Sequence, residues 1–223
     1  MTITQPQPKT TTAQHDDKNL IAPLVGTGAL MAVYLVTRPY GDAAGGDTLA
    51  AAEAFASTRW VIAHVSGMLA IASFGRLALR LHDNLGLFST RLARTATLAG
   101  AVLVLPYYGL ETFGLQAAGR AALAGDTSVL NLVGEMRDHP AAMTMFGVGL
   151  LALALGGVGM ALGWQRARGN WAAWPLAAVM AGVLPQFFLP PTGRITYGVA
   201  CAAAAGVWLV RGLMKRRNAA GGQ

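Results

Sequence analysis

Two ionisable residues stand inside apolar stretches, and both types can move protons. Glu111 lies in Leu105-Pro106-Tyr107-Tyr108-Gly109-Leu110-Glu111-Thr112, and His64 lies in Trp60-Val-Ile-Ala-His64-Val-Ser-Gly. A carboxyl group in hydrocarbon costs several kcal/mol unless it faces the bundle interior, is paired, or is protonated. Such a group serves either as hydrogen-bonding glue between helices or as a general acid. Pro106 removes one backbone donor and Gly109 permits close approach, so a kink is expected near Glu111. Tyr108 is the third catalytic candidate, able to orient the acid.

A second set of polar and aromatic residues gathers near the same helix ends. Arg38 follows the first apolar block, Tyr107 and Tyr108 precede Glu111, and His139 precedes the fourth block. Gln186 closes the fifth block, and Arg194 and Tyr197 open the sixth. Tyr107, Arg38, His139, Gln186, Arg194 and Tyr197 are therefore candidates for lining a polar cavity, with Arg194 or Arg38 holding an anionic head group. Aromatic and basic residues also favour membrane interfaces on their own account, which explains Tyr34 and Trp60 well and Glu111 poorly.

The elements that must position these residues follow from composition. The chain has 223 residues, of which 54% are hydrophobic and 12% charged. Its mean hydropathy is +0.45. A soluble domain is typically about a quarter charged. The apolar residues fall in blocks long enough to cross roughly 30 Å of hydrocarbon as helices. An all-α integral membrane bundle of six transmembrane helices is expected, with spans near 20–36, 60–81, 92–115, 140–162, 171–189 and 194–213. Residues 1–18 read as a disordered polar tail, 19–214 as a single transmembrane domain, and 215–223 as a basic flexible tail. The polar start, without a short basic-then-apolar opening, argues against a cleaved signal peptide.

Charge placement orients the bundle. Arg38, Arg59, Arg120, Arg137 and Arg194 fall in one set of loops, and every other Lys and Arg of the 17 falls in the other set or in the tails. Basic residues concentrate on the cytoplasmic side. Both termini are thus expected in the cytoplasm of a multi-pass cell-membrane protein. This orientation puts His64 about 6 Å and Glu111 about 7 Å below the outer boundary, at one depth where the two can pair. The net charge of +7 is accounted for by topology, and no basic stripe interleaved with exposed aromatics suggests nucleic acid.

The two longer outer loops carry helix signals. Asp47-Thr48 can cap a short helix through Phe55. Val129, Leu132, Val133 and Met136 fall at i, i+3, i+4 and i+7, with Asp126 or Thr127 as cap, and predict an amphipathic helix lying on or over the bundle. In the fourth span Gly149, Ala152, Gly156, Gly159 and Gly163 form a strip without bulky side chains, where another helix can approach closely. The strip reads as an internal seam, with a homo-oligomer contact as the lesser alternative. Cys201, the single cysteine, reads as a packing residue, and no motif calls for a metal or a cofactor.

Arg59-Trp60-Val-Ile-Ala-His64-Val-Ser-Gly-Met-Leu, after an Ala-rich outer loop, resembles small polytopic membrane proteins of actinobacteria in uncharacterised families. The resemblance implies a six-helix fold and no particular activity. In kind, though not in motif, Glu111 is similar to the acid of small integral-membrane terpene cyclases, which protonate an isoprenoid. Those enzymes carry a second acid deep in another helix, and none is present here. Three functions remain open from the residues: binding of a lipid-like or hydrophobic small molecule or a membrane partner, acid catalysis by Glu111 on a hydrophobic substrate, and proton-coupled transport.

Overall fold

The computed structural model describes residues 17–214. Among them there is no strand. Helix α1 spans Ile21–Thr37, α2 Leu49–Ala56, α3 Thr58–Leu85 and α4 Phe88–Gly109. A π-helical turn, Leu110–Gly114, joins α4 without a break to α5, Leu115–Leu123. Helix α6 spans Asn131–Arg137, α7 Pro140–Arg168, α8 Trp174–Ala181 and α9 Pro191–Val207, which runs on into a second π-helical stretch, Trp208–Met214. Of the tails expected over 1–18 and 215–223, residues 1–16 and 215–223 lie outside the described residues, and Asp17 and Lys18 belong to the 3-10 helix Asp17–Leu20.

Five helical segments are long and apolar enough to cross a membrane: Asp17–Thr37, Thr58–Leu85, Phe88–Leu123, Pro140–Arg168 and Pro191–Met214. The segment expected as the fifth of six spans, 171–189, is not one long helix. It holds α8, a turn, and the 3-10 helix Pro185–Phe188. Pro185, without an amide hydrogen, and Gly182 at the end of α8 interrupt the ladder there.

Close approaches at glycine fix the directions of the helices. A Cβ on Gly26 would sit 2.7 Å from Ser73 Oγ, and one on Gly67 2.8 Å from Tyr108, so α1, α3 and α4 alternate in direction. A Cβ on Gly100 would meet the Gly149 carbonyl at 2.7 Å, and one on Gly163 would strike Thr90, so α4 and α7 are antiparallel. The α7 strip of small residues is thus filled by α4 of the same chain. A Cβ on Gly28 would meet Ala205 at 2.6 Å and one on Gly198 would meet Leu35 at 2.9 Å, which closes the ring with α9 antiparallel to α1. Helices α7 and α9 therefore run the same way, and the segment around α8 carries the chain back along the bundle between them. It packs on Gly157 of α7 through Ala177 and Met180, and on α9 through Tyr197.

The ring order is α1, α3, α4, α7, α8, α9, and each helix packs on its sequence neighbours. At the end where Asp17 and Met214 lie, Trp164 and Trp208 meet edge to face at 5.4 Å between centroids, and Arg168 pairs with Asp17 at 2.8 Å. At the opposite end a cap is built from α2, α5 and α6 around a small separate core of Ala51, Ala52, Phe55, Trp60, Leu115, Leu130 and Val133. Thr48 caps α2 by accepting from the Ala51 amide. The amphipathic loop segment begins as a 3-10 turn, Thr127–Leu130, and becomes α6. No side chain caps α6, whose N-cap residue is Leu130, and at the start of the 3-10 turn the Asp126 carboxylate accepts from Ser128. The third long helix continues to Leu123, because Leu115-Gln-Ala-Ala-Gly-Arg-Ala-Ala-Leu is rich in helix formers and rests on α2.

Candidate functional site

Glu111 sits within the π-helical turn at the cap end of the bundle and is 8% exposed. A π turn displaces the backbone register and frees carbonyls from the regular ladder, a feature frequent at functional sites. Here the Glu111 carbonyl accepts from Trp60 Nε1 at 2.6 Å, which ties α3 to the turn. The Glu111 side chain is gripped by Arg137, the last residue of α6. Arg137 Nε donates to Oε1 at 2.7 Å and Nη2 donates to Oε2 at 2.8 Å. This is the planar fork of a guanidinium on a carboxylate.

The pair is one half of a longer network. Arg137 Nη2 also donates to Asp42 Oδ2 at 3.0 Å, and Arg38 Nη2 donates to the same oxygen at 2.7 Å. Two guanidiniums and two carboxylates thus alternate from α1 through the loop after it to α6 and the π turn, and their charges cancel. Burial pushes the Asp42 carboxyl up, but Arg38 and Arg137 together outweigh it and hold Asp42 below the ordinary carboxylate range. Burial alone would push the Arg137 guanidinium down; Glu111 and Asp42 push it up by more. Burial raises the Tyr40 phenol to about 12, and its hydroxyl donates to the Leu35 carbonyl. Arg38 also lies 4.7 Å from the Trp60 ring centroid, and Arg137 5.1 Å from that of Phe55.

His64 faces this network from α3. Its Nδ1 is 2.8 Å from the Trp60 carbonyl, which can only accept, so Nδ1 carries the hydrogen. Its Nε2 points at Glu111 Oε2 across 3.8 Å, beyond hydrogen-bonding distance. The imidazole is packed between Trp60 and Tyr34.

A cavity of about 760 Å³ opens beside these groups. One wall is polar: Arg38, Asp42, His64, Glu111 and Arg137, with the Tyr34, Tyr40, Tyr107 and Tyr108 rings. The other side is mainly apolar, with Met143, Phe146 and Gly147 of α7, then Leu184, Phe187, Phe188 and Leu189, but Arg194 lies over the Phe187 ring and Asp138 also joins the lining. Tyr107 stacks on Phe146 at 4.4 Å, and Phe146 meets Phe187 edge to face at 5.3 Å. Met143 and Phe188 are exposed, Phe188 at 84%, so the rim between α7 and the 3-10 helix is apolar. Asp42 Oδ1 is buried and has no hydrogen-bond partner.

The candidates named from sequence divide into two groups. Glu111, His64, Tyr108, Tyr107, Arg38 and Arg194 all line the cavity. Arg194 is turned toward backbone, donating to the carbonyls of Leu189 and Phe187, and no carboxylate pairs with it among the described residues. The other three stand apart from the wall. His139 is exposed at the start of α7, and its carbonyl accepts from Met143. Gln186 is a buried residue of the 3-10 helix that does not line the cavity, and its Oε1 has no partner. Tyr197 donates to the Val179 carbonyl and ties α9 to α8. Two central groups, Asp42 and Arg137, escaped the sequence reading. Their signals were spacing: Asp42 is four residues after Arg38, and Arg137 continues the Val129–Val133 stripe at i+4. No group of three or more His, Cys, Asp or Glu side chains able to hold a metal occurs among the described residues.

No known family, curated protein or solved structure matches the chain.

Proposed function

We propose that this chain is a six-crossing protein of the cell membrane, with both termini in the cytoplasm, that binds a lipid-like amphiphile in the cap-end cavity on the outer side. Five apolar helices reach across a membrane by length and composition. The sixth crossing is the broken segment around α8, since α7 and α9 run the same way and the chain must return between them. Non-helical backbone is tolerated at membrane depth where it is buried in protein or lines a cavity. The 3-10 helix Pro185–Phe188 supplies Phe187 and Phe188 to the cavity wall.

One observation carries the binding reading: a single cavity has a charged, hydrogen-bonding wall on one side and an aromatic wall with an apolar rim on the other. Such a site suits a molecule with a polar head and a hydrocarbon body that arrives from the bilayer. The acid-catalysis alternative fits less well. Both Glu111 oxygens accept from Arg137, so in this arrangement Glu111 has no proton to present to a substrate. Native mass spectrometry of protein purified in mild detergent tests the reading. A stoichiometric amphiphile bound to the protein supports it, and a protein that binds no offered lipid or amphiphile contradicts it.

A further inference from the structure

Resting on the binding reading, the charges that line the cavity narrow the head group. We infer that the cavity takes a zwitterionic amphiphile, with its anionic group seated by Arg38 and Arg194 and its ammonium group beside Asp138.

The arginines of the lining are Arg38, Arg137 and Arg194, and its carboxylates are Asp42, Glu111 and Asp138. Arg38, Asp42, Arg137 and Glu111 are joined in the network, and their charges cancel. Arg194 and Asp138 remain. Arg194 stands in the first turn of α9 with its Cζ 5.9 Å from the Phe187 ring centroid, and Asp138 closes α6 just before α7. Among the described residues neither forms an ion pair, with the other or with any third residue, and the Asp138 carboxylate accepts no hydrogen bond. The cavity therefore keeps one open charge of each sign beside a neutral network.

The cationic side also keeps open donors. Arg38 Nε and Nη1 and Arg137 Nη1 make no hydrogen bond and are not sealed off, and Arg194 gives only Nε and Nη2 to carbonyls. The Tyr107 hydroxyl is open as well. Arg38 and Arg194 both pull the Tyr40 phenol down against its burial, so the two cations face one part of the wall. An amphiphile that fills the cavity takes water from these donors, and a phosphate oxygen accepts from guanidinium N–H groups in its place. A head with a phosphate alone would set its charge in one cavity with the unpaired Asp138, and a head with an ammonium alone would do the same with Arg194. An uncharged head would leave both without partners. A head that carries both charges gives each its opposite.

Three probes with one tail test this on the full chain in a non-ionic detergent: 1-oleoyl lysophosphatidylethanolamine, 1-oleoyl lysophosphatidate and 1-monooleoylglycerol. Affinities are read by native mass spectrometry titration at equal mole fraction. The zwitterion should bind about tenfold or more tighter than monooleoylglycerol, the worth of one hydrogen bond between charged groups, and tighter than lysophosphatidate. Asp138 is exposed and outside the buried network, so Asp138→Lys should fold and should place lysophosphatidate above the zwitterion. Tightest binding of lysophosphatidate or of monooleoylglycerol by the unaltered protein, or an order unchanged in folded Asp138→Lys, overturns the head-group inference and leaves the binding reading standing. Binding of none overturns both. If Asp138→Lys fails to fold, Asp138→Asn replaces it and should narrow the gap between the zwitterion and lysophosphatidate; an unchanged gap overturns the inference.

Discussion

Arg137 is the residue on which the cap end turns. It comes from the segment outside the bundle and reaches both Glu111 and Asp42. Replacing Glu111 by Gln should cost roughly 3 kcal/mol, the lower end of what breaking a buried pair costs, because Arg137 keeps Asp42. Thermal unfolding in detergent checks this, and Arg137→Gln in the same background should add less than its separate effect. Asp42 sets a pH dependence. Its carboxyl is held below the ordinary value, so its contribution is complete above that value, near 3.8, and is lost as pH falls through the lower folded value. The protection factors of the α6 amides, corrected for the intrinsic pH dependence of exchange, should be unchanged between pH 5 and 8 and should fall only in stronger acid. Glu111 and His64 were legible in the sequence because an ionisable residue among apolar neighbours is conspicuous. Asp42 and Arg137 were not, because a charge in a loop is ordinarily solvated and only the folded cap takes these two out of water.

Five of the six expected spans were legible as long helices because lipid demands long apolar runs. The broken segment 171–189 was not, since its composition is as apolar as a span and only the fold shows where Gly182 and Pro185 interrupt it. The continuation of α4 through the π turn into α5 was hidden for a similar reason: residues 116–123 look like a loop by hydropathy, yet they hold α2 against the bundle. Gly119 makes that contact. A Cβ there would lie 2.7 Å from the Ala52 carbonyl and 2.8 Å from the Ala56 amide, both backbone atoms that cannot swing aside. Gly119→Ala should therefore loosen α2 from α5, seen as faster hydrogen exchange over residues 49–56. Gly206→Ala is the contrasting case. A Cβ there meets nothing within 4 Å, so the change should be neutral or stabilise α9 by up to about 1 kcal/mol through helix propensity.

For the whole molecule, the ring of five long helices and the broken segment around α8 separates two ends of different character. One end is closed by Trp164, Trp208 and the Arg168–Asp17 pair, and the other carries the cap and the cavity. The proposed orientation places the cap outside. With buried Cys201 as background, Asp126→Cys should react with a membrane-impermeant maleimide on intact cells and Asp83→Cys should react only after permeabilisation; the reverse pattern would invert the topology. The binding reading has a test of its own at Gly147, which lines the cavity and has open space beside its Cα. Mass spectrometry should find a stoichiometric amphiphile on the unaltered protein and a marked loss of it from folded Gly147→Phe, whose ring occupies the cavity. The same amphiphile at the same occupancy on both proteins would contradict the account.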